Sequence, residues 1–162
     1  MEPRQQSIYY LILLSFLLWT SPAIAWEGTV TRVLDGDSLR VNQSGQIVTI
    51  RLYGIDSPEY RQAFWRAAKD ATSHLVQGKE ITVEPFDTDR YGRIVALVGV
   101  RGRSVNGELV RLGMAWVYPH YCKEQPLCRN LEELEQTARV QKLGIWKDRN
   151  PVPPWVWKHG KQ

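Results

Sequence analysis

Residues 26–54 read WEGTVTRVLDGDSLRVNQSGQIVTIRLYG, and their pattern decides the fold. WEGTVTRVLD alternates apolar and polar residues, with Val30 and Val33 placed to face inward. SLRVN and QIVTIRLYG continue as strands, and QSG between them reads as a hairpin turn. A period of two broken by turn residues predicts a meander of three strands.

The period then changes. In SPEYRQAFWRAAKDATSHLVQG, Phe64, Ala67, Ala68, Ala71 and Leu75 recur at helical steps, and Gly78 stands where a C-terminal cap belongs. The chain is expected to enter this helix almost directly after Glu59, through Tyr60, Arg61 and Gln62. KEITVEPF and RIVALVGV read as two further strands about the polar turn DTDRYG. NGELVRLG is a short helix, with Asn106 as N-cap and Gly113 as stop, and MAWVY a short last strand. In NLEELEQTARVQKLG, Asn130 and Glu133 have the spacing of a capping box, and Arg139 and Lys142 fall in the last turn. Leu131, Leu134, Ala138 and Leu143 would be its core face. Five strands, a helix between the third and fourth, and helices at the end predict an α+β fold. The architecture is a five-stranded Greek-key barrel of the OB type with about three α-helices, a scaffold able to bind oligonucleotides on one face.

Outward from this body, residues 1–25 have the order of a cleaved secretory signal. Arg4 precedes the apolar run IYYLILLSFLLW, and Ala23-Ile24-Ala25 supplies the small residues expected before cleavage, after Ala25. The run is too short for a spanning helix, which takes roughly 20 apolar residues. The expected organisation is a signal over 1–25, the barrel domain over 26–147 and a Pro/Trp-rich tail over 148–162. An extended tail with Trp155 and Trp157 packed back on the body suits its prolines. Export without stable membrane association implies a secreted or periplasmic protein.

The 162 residues carry 21 Lys and Arg against 17 Asp and Glu, a net charge of +4 that favours a polyanionic partner. Cys122 and Cys128 lie behind the export signal and read as a disulfide closing a small loop. Metal binding with His120 is the competing reading, but His74 and His159 are distant in sequence and a structural zinc site needs four ligands.

Three polar clusters could carry chemistry: Asp35 and Asp37 in VLDGDSLRV, Arg51, Asp56 and Glu59 in RLYGIDSPE, and Asp87, Asp89, Arg90, Tyr91 and Arg93 in DTDRYGR. Carboxylates suit a hard cation, and the planar arginine fork suits a phosphate. Phosphodiester hydrolysis needs both, with a further carboxylate beside the attacking water. Asp37 and Asp56 fit as ligands, Glu59 as base, and Arg51 and Arg93 as clamps. Each cluster has a structural reading as well: Asp-Gly-Asp as a turn, Arg51 as an ion-pair partner of Asp56 or Glu59, and DRYGR as a solvated hairpin.

VLDGDSLRV, RLYGIDSPE, DRYGR, VNGELVRLGMAWVY and the capped helix ending in LGIW resemble, in order and spacing, the staphylococcal nuclease (thermonuclease) family, from about Glu27 to Trp146. The resemblance implies an exported bacterial homologue: a Ca²⁺-dependent phosphodiesterase, cleaving DNA and RNA with little sequence preference and leaving 3′-phosphates. It implies Arg51, Glu59 and Arg93 as catalytic residues, Asp37, Asp56 and the Ser57 carbonyl as metal ligands, and Asp35 behind them. Arg90 and Tyr91 would touch a terminal phosphate, and Tyr118 and Tyr121 stand near the base-stacking positions. Asp-Gly-Asp is followed by Ser38 where threonine is frequent, and the loop after Glu59 is shorter than in the staphylococcal enzyme. The expected substrate is single-stranded or locally melted nucleic acid, and the expected state a monomer. The alternatives are a non-catalytic OB module that binds single strands, and a secreted interaction domain that keeps the barrel as scaffold.

Overall fold

A computed structural model describes residues 24–160. The expected secretory signal falls almost wholly outside the described residues. Among these, no helix is long and apolar enough to cross a membrane.

The meander forms as its alternation predicts: β1 is Trp26–Val33, β2 Ser38–Gln43 and β3 Gln46–Leu52. A two-residue strand, β4 (Ile55–Asp56), follows, then helix α1 (Trp65–Val76), β5 (Glu80–Thr88) and β6 (Ile94–Val100). The barrel runs β3-β2-β1-β5-β6 and closes where β6 pairs in parallel with β3, Arg51 lying opposite Val95. Closure leaves no free edge among these five strands. Val30, Leu39, Val41, Ile50, Leu52, Ile81, Val83 and Val98 fill the interior, each at most 1% exposed. Burying each such side chain contributes roughly 1.5–3 kcal/mol. Arg51 lies between the buried Ile50 and Leu52, so the pleat turns it out of the interior, toward the end where the polar loops gather.

The chain then adds β7 (Arg103–Ser104), α2 (Val105–Arg111), β8 (Trp116–Val117), α3 (Leu127–Val140), a 3-10 turn (Gly144–Lys147) and α4 (Pro154–His159). β8 pairs with β4, which fixes Asp56 opposite Trp116.

Four local expectations are corrected. The first helix begins at Trp65, not directly after Glu59, because Arg61 and Phe64 take left-handed backbone at φ 67° and 66°. The residues between make a compact turn in which the Gln62 amide donates to the Glu59 carbonyl at 2.8 Å. In α2 the cap is Ser104, whose hydroxyl accepts from the Gly107 amide. Asn106 is fully buried instead, and its side chain ties Val98 N–H to the Tyr53 carbonyl. Helix α3 starts at Leu127, so Asn130 lies inside it and no capping box forms. Its first turn is anchored earlier by Cys128, which is buried and bonded to Cys122. Leu131 and Ala138 face the core as expected, with Leu134 packed at its margin.

The tail is not extended throughout: Pro154–His159 is helical, a fourth α-helix beyond the three expected. Trp155 does pack back on the body, stacking on Tyr118 at 4.6 Å between ring centres and edge-on to Trp116. The disulfide between Cys122 and Cys128 removes both sulfurs from any metal site. It packs against Gly54, which has φ 72° and where a Cβ would come within 2.7 Å of Cys122 Sγ.

Candidate active site

The polar cluster is built where three chain segments meet: the β1–β2 turn, the β3–β4 corner and the loop leading to α1. Gly36 makes the meeting possible. A Cβ there would fall 2.6 Å from Ser57 Cβ and Oγ and 3.0 Å from Ala68. Thr72 of α1 fastens the same turn by donating to the Gly36 carbonyl at 2.7 Å. The Asp-Gly-Asp turn is thereby pressed against the loop that carries Asp56, Ser57 and Glu59.

At the centre lies Arg51. Its Nη1 contacts Asp37 Oδ1, and its Nη2 donates to Asp56 Oδ1 at 2.6 Å. Asp37 also accepts the Ser57 amide on Oδ2 at 2.6 Å and the Ser38 hydroxyl on Oδ1. Burial works against its charge, but Arg51 and the Ser57 amide outweigh it and hold the Asp37 carboxyl below the usual range. Asp35 stands at the edge, receiving the Asp37 amide on Oδ1 at 3.0 Å. The same two partners keep Arg51 firmly protonated although burial opposes its charge.

Asp56 is held differently. It is 1% exposed, and burial followed by the neighbouring Asp37 charge pushes its pKa up to about 6, against the opposing pull of Arg51 and Lys158. Its Oδ2 is buried and has no hydrogen-bond partner among the described residues. A buried carboxylate oxygen left without a donor is costly unless a cation or water meets it.

Glu59 lies beside this cluster, about one-third exposed. Its amide is held by Gln62 Oε1 at 2.9 Å, and its carboxylate pairs with Lys158 Nζ at 2.8 Å. Lys158 also stands 3.6 Å from Asp56 Oδ1. Partial burial works against the ammonium, but the Glu59 hydrogen bond and the Asp56 charge push its pKa up. No local sequence signal marks Lys158 as part of the cluster.

Arg93 comes from the turn before β6. Asp89 orients it, taking Nε at 2.7 Å on one oxygen and the Tyr91 and Arg93 amides on the other. Those bonds hold the Asp89 carboxyl below its ordinary range although burial pushes the other way. Arg93 Nη1 reaches Ser38 Oγ at 3.4 Å, which links this turn to Asp37. Arg90 and Arg93 both lie over the Tyr91 ring, whose outer surface is 68% exposed. Tyr118 has one face covered by Trp155, while Tyr121 is 60% exposed and meets Tyr118 edge-on. The structure adds a further aromatic and basic ridge directly after Glu59: exposed Tyr60 against Trp65, with Arg61 and Arg66 over the rings.

The chain matches the staphylococcal nuclease homologue family over residues 49–148, a span that holds Arg51, Asp56, Ser57, Glu59 and Arg93. It belongs to that family. An uncharacterized endonuclease of Escherichia coli is 44% identical over 94% of this chain and 98% of its own length. The Protein ParB of Escherichia coli is 38% identical over 90% of this chain and 86% of its own. A micrococcal nuclease of Shigella flexneri is 35% identical over 90% of this chain and 88% of its own. The closed barrel with appended helices is the family's α+β, OB-type architecture.

The donors at the cluster decide which cation it suits. Among the described residues, no group of three or more His, Cys, Asp and Glu side chains forms a cage on its own. What the site offers is two buried carboxylates, one with a free oxygen. Such a set fits a hard cation that keeps several waters, and does not fit a metal that wants nitrogen or sulfur.

Proposed function

We propose that this chain is a Ca²⁺-dependent nuclease that hydrolyses the phosphodiester backbone of DNA and RNA with little sequence preference, leaving 3′-phosphate ends. The observation that carries this reading is the single guanidinium of Arg51 clamped between Asp37 and Asp56, with the Asp56 Oδ2, unpartnered among the described residues, and the Glu59 carboxylate beside it.

Each residue has a task that its position supports. Asp37 and Asp56, with the Ser57 carbonyl as a further ligand, would hold the cation. Bound there, Ca²⁺ supplies a Lewis acid for the phosphate and acidifies water. Arg51 donates to a non-bridging phosphate oxygen and offsets the charge that grows there as phosphorus becomes five-coordinate. Arg93, aimed by Asp89, does the same from the turn before the neighbouring strand β6. Glu59 accepts the proton of the attacking water, and the 5′-oxygen leaves with a proton from solvent. Asp35 braces the Asp37 backbone. The exposed rings of Tyr60, Tyr91 and Tyr121 offer faces on which unpaired bases can stack, which favours single-stranded or locally melted substrate. Arg90 and Tyr91 would meet a terminal phosphate, and Tyr118 would contribute its uncovered edge. The reading extends to a monomer. The disulfide suits an oxidising compartment, so the reading extends to a secreted or periplasmic enzyme.

One observation favours a binding module without catalysis: Glu59 is neutralised by Lys158. Cleavage of a labelled single-stranded oligonucleotide with Ca²⁺, with excess chelator, and by Glu59→Gln separates the two. Ca²⁺-dependent cleavage that falls about a hundredfold or more in the variant is the expected result. Binding without cleavage in every condition would establish the module instead.

A further inference from the structure

Lys158 lies near the end of the chain, yet its ammonium stands at the acid cluster. The segment that carries it is fastened to the body ahead of the lysine. Before it, the Val152 carbonyl accepts from Gln62 Nε2 at 2.6 Å, and the same Gln62 holds the Glu59 amide through Oε1. Pro154 is buried, and Trp155 stacks on Tyr118. α4 is therefore seated beside the Glu59 loop, and the Lys158 stem reaches across to it.

The charges around Nζ explain the contact. Asp37, Asp56 and Glu59 bring three negative charges, and Arg51 answers one of them from within the barrel wall. Lys158 answers a second, dividing its ammonium between Glu59 Oε1 and Asp56 Oδ1. Asp56 Oδ1 belongs to the carboxylate proposed as a cation ligand. A divalent ion on Asp56 and an ammonium 3.6 Å from the same carboxylate would repel one another, because that one carboxylate offsets only part of their combined charge. The lysine side chain is 48% exposed on a flexible four-carbon stem, so it can swing into solvent while α4 stays packed.

We propose that Lys158 is a tethered counter-ion that occupies the acid cluster in the cation-free protein and is expelled when Ca²⁺ binds. Expulsion would also release the Glu59 carboxylate from its ion pair. Cation binding and freeing of the base are then one event, and Lys158 sets the Ca²⁺ concentration at which it happens. This rests on the cation-dependent reading above.

The test is calorimetric titration of the intact protein with Ca²⁺, in the absence of nucleic acid, beside three variants. Lys158→Gln removes the competitor and should bind Ca²⁺ roughly three- to fivefold more tightly, the upper part of the range of a half-exposed ion pair. Lys158→Arg keeps the charge and should bind no more tightly than the parent. Arg101→Gln removes one positive charge just past the far end of β6, roughly 26 Å along the strand from Arg93, and should stay within about twofold. Thermal melts give a second readout: the rise in Tm on adding Ca²⁺ should be larger for Lys158→Gln than for the parent. Equal affinities for Lys158→Gln and Arg101→Gln would overturn the proposal while leaving the nuclease reading intact. Weaker binding by Lys158→Gln would overturn it too, and would make the lysine a brace for the Glu59 loop. Absence of saturable Ca²⁺ binding in all four proteins would instead remove the cation-dependent reading itself.

Discussion

Replacing Arg51 by alanine tests the centre of the cluster through two independent quantities. The guanidinium is the shared partner of Asp37 and Asp56, which are 5% and 1% exposed. Removing it strands two buried carboxylates, and breaking a buried pair by deleting one partner costs about 3–5 kcal/mol. Some of that cost is relieved because Asp56, already raised to about 6, can take up a proton. The expected loss for Arg51→Ala is therefore at the lower end, about 3 kcal/mol, or on the order of 10 °C in Tm for a chain of this size. Ca²⁺ should restore part of it, since the cation supplies the missing positive charge between the same carboxylates. Activity should behave otherwise: with saturating Ca²⁺ and a single-stranded oligonucleotide, kcat should fall by roughly a hundredfold or more, because no other group replaces the two-pronged donor on the phosphate. Arg51→Lys separates the roles, keeping most of the stability through its charge while losing at least about tenfold in rate. The assays are calorimetric melting with and without Ca²⁺ and initial cleavage rates. A rate within threefold of the parent for Arg51→Ala would refute the clamp, and a melt unaffected by its loss would refute the buried-pair argument.

Three more outcomes are expected. Asp56 has a folded-state pKa of about 6 against 3.8 when unfolded, so the folded chain binds the proton more tightly, and in chelator this group's stabilisation is present at low pH and lost as pH rises from about 4 to about 6. The loss amounts to about 3 kcal/mol at neutral pH, so the stability difference between parent and Asp56→Asn should change across that window; denaturant titrations giving a flat difference would contradict it. Asp89→Ala releases the Arg93 guanidinium and two turn amides; an order-of-magnitude fall in kcat, with a stability loss of about 1 kcal/mol, is expected from kinetics and urea unfolding. Gly36→Ala forces a methyl group into Ser57 and Ala68, which should cost about 1–3 kcal/mol in the same unfolding measurement and weaken Ca²⁺ binding; a variant as stable as the parent would show that the turn is not packed as described.

Much of this architecture is legible in the chain because its signals are local. Alternation over residues 26–54 gives the meander, and the glycines at 54, 78 and 113 mark turns that do take positive φ. The candidate site residues stand out in the sequence for a related reason: they cluster at strand ends, where short polar motifs interrupt apolar runs. What escapes the sequence depends on partners far along the chain. Arg61 and Phe64 are not residues that announce left-handed backbone, and the turn they shape is tied by Gln62 to Val152. The Asn130–Glu133 spacing is a sound local signal, overridden because the disulfide fastens an earlier turn at Cys128. Lys158 reads as one more solvated charge until α4 is seated beside Glu59.

The arrangement of charges explains why a cluster so costly to bury would be kept. With Lys158 in place, Asp37, Asp56 and Glu59 face two positive groups, so the cluster stays negative and repels a phosphate. Exchange of the ammonium for a divalent cation would add one further positive charge, so that Arg51 and the cation together balance the three carboxylates. Arg93, paired only with the half-buried Asp89 among the described residues, would then tip the local field toward an incoming anion. A protein without the cation would thus hold its substrate poorly as well as cleave it poorly. Binding of a single-stranded oligonucleotide by the Glu59→Gln variant, which removes one of the three negative charges, should therefore depend less on Ca²⁺ than binding by the parent; equal dependence would show that the field at the cluster does not govern substrate entry.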